Sequence, residues 1–370
     1  MNKRNKKVAV IVTEYWDISH ADVLLSKMFE GFVLNGRPYR STIDIVSMYI
    51  DQFPVNDMGK DMAAKHHVPL FGSIRETLLR GGDTFDVEGI IIVGELGDYP
   101  CNEIGQTLYP RRAFFEECLQ VMLAYDRIVP VFTDKGFAIV REDIEWVYDQ
   151  VKRHQIPFMS SSVVPYCPRH PVSIGIPNGT PIRKMFGFAY SGVERYTYHA
   201  LEMMQSIAEN RAYGESGIES VRAFRDAEAI ERLLSDEWRT MYRALGGFAN
   251  LRDVESLPYR LSEPVLCEVD YVDGLKAGVL FGEPEARLFA SAFQVSAEES
   301  PVCVEFRLQN QKPNSHWGYL VLEIETFIHT SRPPHPVERS LLTTGALDAF
   351  MRSLHSGGKE IKTPYLRVSY

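Results

Sequence analysis

Lys135 stands where a lysine can do chemistry. It follows the apolar run Ile128, Val129, Val131 and Phe132, read as a buried strand, and an α/β sheet presents groups to a ligand just past such strand ends. An ammonium there can hydrogen-bond and polarise a substrate hydroxyl, or exchange its proton. Two other predicted strands end in equally polar sequence. Val8 to Val12 opens onto Thr13-Glu14-Tyr15-Trp16-Asp17-Ile18-Ser19-His20, and Gly89 to Val93 onto Gly94-Glu95-Leu96-Gly97-Asp98-Tyr99-Pro100. If the three strands are parallel neighbours, their loops share one crevice. The plainer reading of each segment is a solvated loop.

The loop after Val93 continues through Asn102 to Arg111, with Gly94, Gly97, Pro100, Gly105 and Pro110 fixing an irregular path. Such length and punctuation suit a binding loop, with Asp98, Tyr99 and Asn102 as substrate contacts. Tyr15 and Trp16 could stack on a sugar or a base, or close a core. Asp51, just past a second predicted strand, sits where a ribose-binding acid belongs. His199 and Glu202, three apart on a predicted helix, could share a metal with Glu14 or His20, but no His-x-x-x-His or comparable spacing supports it, so no metal ligand is assigned. Ser160-Ser161-Ser162 lacks the Gly-x-Ser-x-Gly elbow of a serine hydrolase.

The elements that must position these groups change character midway. Up to Ser162, β-branched runs near 8–13, 43–50, 86–93, 128–133 and 157–161 alternate with helical patterns near 20–34, 57–66, 73–80, 110–124 and 141–154. That alternation implies a Rossmann-like parallel sheet covered on both faces. Ser19 with Asp22, and Ser73 with Glu76, resemble capping boxes. A proline-rich interval, Pro165 to Pro181, then leads to helical patterns near 194–210 and 224–245 and extended segments near 265–272, 275–282, 287–296 and 302–309. The first pair is joined by Val272-Asp273-Gly274, a hairpin signal, and the tail adds helical patterns at 320–328 and 338–355. The expected architecture is α/β: a first domain over 1–162, and an α+β domain with a mainly antiparallel sheet over 163–370, its tail helices 338–355 returning to the first domain.

The chain has 370 residues, 45% hydrophobic and 24% charged, with net charge -9 and pI about 5.7. It is long enough for two cores. An acidic balance without basic runs argues against a nucleic-acid surface. Five widely spaced cysteines without a Cys-x-x-Cys pair read as reduced thiols. No secretory or membrane-spanning segment is evident, so the expectation is a soluble cytoplasmic protein whose partner is a small molecule, with a homo-oligomer formed through an exposed face of the antiparallel sheet.

Three segments resemble the Gfo/Idh/MocA dehydrogenases. Pro130-Val131-Phe132-Thr133-Asp134-Lys135-Gly136-Phe137-Ala138 is similar to that family's Pro-Val-Phe-Val-Glu-Lys-Pro-Leu-Ala segment. Tyr190 to Glu202 resembles its Gly-Gly to Asp-x-Gly-x-His-x-x-Asp segment, and Glu323 to Thr363 its closing helix-loop-helix. The resemblance implies NAD(P)-dependent hydride transfer on a sugar or cyclitol, with Lys135 orienting the substrate hydroxyl and His199 exchanging its proton as catalytic residues. Cofactor contacts would then fall at Thr13, Glu14, Tyr15, His20, Asp51 and Glu95, and Arg195 would join the substrate contacts. The departures are specific. Residues 12–20 contain no glycine where the family has Gly-x-Gly-x-x-Gly, Arg195 replaces an aspartate, and Gly136 replaces a proline. Glycines there allow backbone N–H groups to approach a pyrophosphate. Two other readings stay open: a lyase, isomerase or hydrolase that has lost the dinucleotide, metal-assisted or not, and a non-catalytic binding protein.

Overall fold

In the computed structural model, residues 4–172, 174–283, 287–296 and 299–370 are described, and the chain forms two compact units, each with its own sheet. The first takes the residues up to Pro100, Thr107–Val163 and Gln309–Ser340. Its elements are β1 (Lys6–Val12), α1 (His20–Glu30), the hairpin β2 (Phe32–Leu34) and β3 (Arg37–Tyr39), β4 (Ile43–Ile50), α2 (Gly59–Lys65), α3 (Ile74–Leu79), β5 (Gly89–Val93), α4 (Arg111–Ala124), β6 (Val131–Asp134), α5 (Arg141–Arg153) and β7 (Phe158–Ser161). Strand order is β4-β1-β5-β6-β7, all parallel.

This order fixes where a ligand can enter. The chain winds to one side of β1 through β4, then to the other through β5, so β1 and β5 flank the topological switch point, where loops leave in opposite directions and open a crevice. Continuous burial of Val8–Val12 and Gly89–Val93 follows from helices on both faces of the sheet. Ser19 caps α1 by accepting from the Asp22 N–H at 3.2 Å, and Ser73 caps α3 by accepting from the Glu76 N–H at 3.1 Å, as their spacing suggests. The first helix is shorter than its expected 20–34 span. Gly31, at φ +76, stops it, and Asn35 (φ 51) with Gly36 (φ 75) turns the chain into β2 and β3, an Asn-Gly hairpin that the helical periodicity hides.

The second unit takes Cys101–Gln106, Val164–Leu308 and Leu341–Tyr370. It contains β8 (Arg169–His170), β9 (Lys184–Ala189), α6 (Val193–Ala208), β10 (Ile218–Arg225), α7 (Asp226–Leu233), α8 (Arg239–Phe248), β11 (Ser262–Tyr271), β12 (Lys276–Glu283), β13 (Phe289–Gln294) and β14 (Val302–Phe306). The tail contributes α9 (Trp317–Thr330) to the first unit; α10 (Val337–His355) from Leu341 onward, and β15 (Ile361–Lys362), belong to the second. Sheet order is β15-β10-β11-β12-β9-β13-β14-β8, antiparallel except for β12 with β9.

Phe186, Phe188, Trp238, Tyr242, Leu266 and Leu280 form the centre of its core. Consecutive burial along β9, β11 and β12 leaves no open face at the middle of the sheet, contrary to the exposed face expected there. The helical pattern expected over 224–245 is found as two helices, α7 and α8, and the strand β10 (Ile218–Arg225) that precedes them is not among the expected elements. The single boundary at 162/163 is likewise replaced by an interleaved division: Cys101–Gln106 joins the second unit, and α9, rather than most of the 338–355 helix, returns to the first. No helix among the described residues is long and apolar enough to cross a membrane.

Candidate active site at three strand ends

The ends of β1, β5 and β6 lie side by side, and their loops bring together four ionisable side chains of the first unit. Lys135 follows β6 in the left-handed region, φ 60, its N–H donating to Ser161 O at 3.1 Å and its carbonyl accepting from the Ser160 hydroxyl. Its ammonium pairs with Glu95 Oε2. The other Glu95 oxygen, Oε1, lies 3.1 Å from His20 Nδ1, and Asp134 Oδ2 lies 2.6 Å from the same nitrogen. Lys135 and Glu95 are 7% and 6% exposed, and Asp134 only 1%. Trp317 closes one side of the imidazole edge to face, ring centroids 4.5 Å apart.

The backbone is fixed around this cluster. Thr13 ties the end of β1 to that of β5, its N–H donating to Val93 O at 3.1 Å and its hydroxyl to Glu95 O. Arg111, at the start of α4, donates from Nε to Gly94 O at 2.6 Å, and a Cβ on Gly94 would stand 2.8 Å from the arginine Cγ. Each of the three loops holds a non-glycine residue in the left-handed region: Ile18 (φ 70), Leu96 (φ 65) and Lys135. Such conformations cost about 1–3 kcal/mol each and gather at functional sites. Burial pushes the Glu95 carboxyl up, but His20, Lys135 and Arg111 together hold it below the usual carboxylate range. Asp134 Oδ1 is buried without a hydrogen-bond partner.

Of the residues singled out in the sequence, Thr13, His20, Glu95 and Lys135 converge here. Asp134, which stands in the segment Pro130 to Ala138 at the position of the family's glutamate, joins them and is not among the residues expected to form the site. Strand alternation turns consecutive side chains to opposite faces, but the left-handed turn at Lys135 breaks the alternation and brings both to one place. Tyr15 is fully buried, its hydroxyl 3.2 Å from Ser26 Oγ and raised in pKa chiefly by burial, so it packs in the core. Glu14 accepts from the Trp16 indole N–H at 3.0 Å. Asp51 accepts from Tyr49 and Tyr99 hydroxyls, both at 2.6 Å, which makes a separate polar knot beyond β4. Asp98 is exposed, its backbone held by the Gln52 side chain.

The remaining candidates belong to the second unit. Asn102 folds its own loop, accepting from Ile104 and Gln106 N–H groups. On α6, Arg195 is exposed, whereas His199 is buried with Tyr196 and Phe289 rings 5.7 and 6.2 Å away. Glu202 is fully buried and accepts from the Thr343 hydroxyl at 3.3 Å.

A dinucleotide pyrophosphate needs unengaged N–H groups at the turn from β1 to α1. Here five of them are already used. Trp16 and Asp22 N–H donate to Ser19 Oγ, Ile18 N–H to Asp22 Oδ2, Ser19 N–H to Trp16 O and Thr13 N–H to Val93 O. Glu14, Asp17 and Asp22 add negative charge around the same turn. The residues present do not fit a phosphate cradle of the usual kind.

The chain is similar along nearly its whole length to several solved oxidoreductases. A myo-inositol 2-dehydrogenase from Lactobacillus plantarum shares 13% identity at a TM-score of 0.57, over 97% of this chain and 99% of that one. GenD2 from gentamicin A biosynthesis, in complex with NAD, shares 11% at 0.58, over 98% and 97%. Biliverdin reductase from Synechocystis sp. PCC 6803, in complex with biliverdin and NADP+, shares 12% at 0.52, over 94% and 98%. The chain thus has the two-domain fold of the Gfo/Idh/MocA dehydrogenases, as its three motif segments imply. No protein-family model matches the sequence, and no curated protein does.

Proposed function

We propose that the protein is an enzyme that moves a proton on a polyhydroxylated small molecule, a sugar or cyclitol, by lyase or isomerase chemistry that requires no dinucleotide. The observation that carries this reading is the buried Lys135–Glu95 ion pair beside His20 and Asp134 at the sheet's switch point. In the proposed reaction Lys135, steadied by Glu95, hydrogen-bonds a substrate oxygen and stabilises the negative charge that develops there. His20, oriented by the carboxylates at its Nδ1, takes up and returns the proton. This gives the imidazole role to His20 rather than to His199, which packs among aromatic rings.

The NAD(P)-dependent oxidoreductase reading has one specific support, the fold shared with structures containing NAD or NADP+. The engaged amides and acidic side chains of the β1–α1 turn count against it. Incubation with a panel of sugars, cyclitols and their keto forms in D2O separates the two. The proposal expects deuterium incorporation or product formation without nicotinamide, lost in Lys135→Met. Turnover only with NAD+ or NADP+, with reduced nicotinamide appearing, would overturn it in favour of the oxidoreductase.

A further inference from the structure

The geometry points to a divalent-cation site formed by His20, Glu95 and Asp134. They are the one group among the described residues whose His, Cys, Asp or Glu ligand atoms gather closely enough to hold an ion, all lying within 4.8 Å of one another. The donors come from three neighbouring strand ends: His20 opens α1 after β1, Glu95 follows β5, and Asp134 ends β6. Their backbones are fixed by the Thr13 staple and by strand pairing, so the donor set is carried by the sheet and not by loose loop ends.

A second observation independently calls for a cation. The Asp134 side chain is wholly buried, one oxygen meets the His20 ring, and the other has no hydrogen-bond partner. Burying an ionised carboxylate with an oxygen unsatisfied is costly. The ammonium in the cluster lies on Glu95 Oε2, and Glu95 Oε1 is turned to His20. A divalent ion between His20 Nδ1, Glu95 Oε1 and an Asp134 oxygen would neutralise the second carboxylate.

The donor chemistry narrows the ion. One imidazole with two carboxylates suits Mn2+, Fe2+, Co2+ or Zn2+ better than Mg2+ or Ca2+, which prefer all-oxygen sets. Three protein ligands leave coordination positions for water or substrate oxygens, the pattern of a reactive site rather than a closed structural one. The 2.6 and 3.1 Å separations from Nδ1 are hydrogen-bond distances; a tetrahedral ion with bonds of about 2.1 Å sets its donors about 3.4 Å apart. Binding therefore exchanges the Nδ1 proton for the ion and spreads the three side chains slightly, so uptake releases a proton. The His20 side chain, 15% exposed, offers the way in. Lys135, hydrogen-bonded to the outer oxygen of Glu95, then acts as a partner that orients a ligand.

The inference stands independently of the proposed reaction, since ion binding is read without substrate. Full-length protein stripped with EDTA is titrated with MnCl2, ZnCl2 and MgCl2 by calorimetry, with thermal unfolding in parallel. The expectation is one Mn2+ or Zn2+ per chain, a raised Tm, and no comparable effect of Mg2+. His20→Gln and Asp134→Asn each weaken binding at least tenfold, while circular dichroism reports whether they fold. Nitrogen coupling to bound Mn2+ in pulsed EPR, lost in His20→Gln, assigns the imidazole. Absence of a stoichiometric site, or affinity unchanged in a folded Asp134→Asn variant, overturns the assignment.

Discussion

Replacing Lys135 by methionine keeps the length of the side chain and removes the ammonium that faces Glu95 Oε2. The carboxylate is 6% exposed, so the loss leaves a buried charge with weaker compensation. Removing one member of a buried ion pair costs about 3–5 kcal/mol. His20, at 3.1 Å, and Arg111 still hold Glu95 in its charged form, which places the expected loss near the lower end, about 3 kcal/mol. Glu95→Gln strands the ammonium instead and should cost a similar amount. Lys135→Met/Glu95→Gln leaves neither charge behind, so it should lose far less than the two single changes combined. The coupling energy expected is at least about 2 kcal/mol, near the upper part of the range for contacting residues. Urea unfolding at pH 7.5 in EDTA-containing buffer, followed by circular dichroism, measures all four corners of the cycle. A coupling below about 0.5 kcal/mol would mean that the two groups act independently, and would refute the ion pair as the organising contact of the site.

In the second unit, Arg211 is bonded to the fully buried Glu215 and to Asp273, with Nε 2.6 Å from the latter. Arg211→Leu should destabilise by about 3–5 kcal/mol in urea unfolding, and Arg211→Leu/Glu215→Leu should recover most of it. Burial lowers His316 from 6.5 to about 4 against the opposing effect of its hydrogen bond with the Gln309 backbone, whose oxygen lies 3.0 Å from Nδ1. Between those pH values the unfolded chain binds the proton and the folded chain does not, so stability present at neutral pH falls as pH drops through that window. Each tenfold in proton affinity is worth about 1.4 kcal/mol, hence a loss of about 3 kcal/mol by pH 4, absent in a folded His316→Asn variant. Ser19→Ala removes the acceptor of two loop amides and should lower stability by about 1 kcal/mol, with faster hydrogen exchange at Trp16 and Asp22.

The parallel half of the fold is readable in the sequence because burial on both faces writes strands as unbroken apolar runs. Val8–Val12 and Gly89–Val93 are such runs, and β1, β5 and β6 are the neighbours that a shared crevice requires; the edge strand Ile43–Ile50, interrupted by Asp44 and Ser47, is nevertheless found at its expected bounds. Where two periodicities overlap, reading is harder. Phe32 to Leu34 continues the helical pattern of α1, and only Gly31 and Asn35-Gly36 reveal the hairpin. β10 runs directly into α7 without a loop, so its alternation merges with helix periodicity. β9, with Gly187 at its centre, carries a weak strand signal. The interleaved units cannot be read locally at all, since they depend on where α9 packs.

At the site, Thr13, Glu95 and Lys135 are legible because each stands just past an apolar strand, and His20 because it opens the helix that follows β1. Asp134 is not, because its inclusion depends on a backbone dihedral at the next residue. The missing glycines of residues 12–20 are visible in the sequence, but their consequence is structural: Ser19 and Asp22 engage the Trp16, Ile18 and Asp22 amides of the turn that a pyrophosphate would approach.

That occupied turn is where the account is most exposed to test. Calorimetric titration of full-length, EDTA-treated protein with NADH and NADPH should show no binding tighter than about 1 mM, equivalent to about 4 kcal/mol. Stoichiometric binding of either nucleotide in the micromolar range, unaffected by Ser19→Ala, would contradict it.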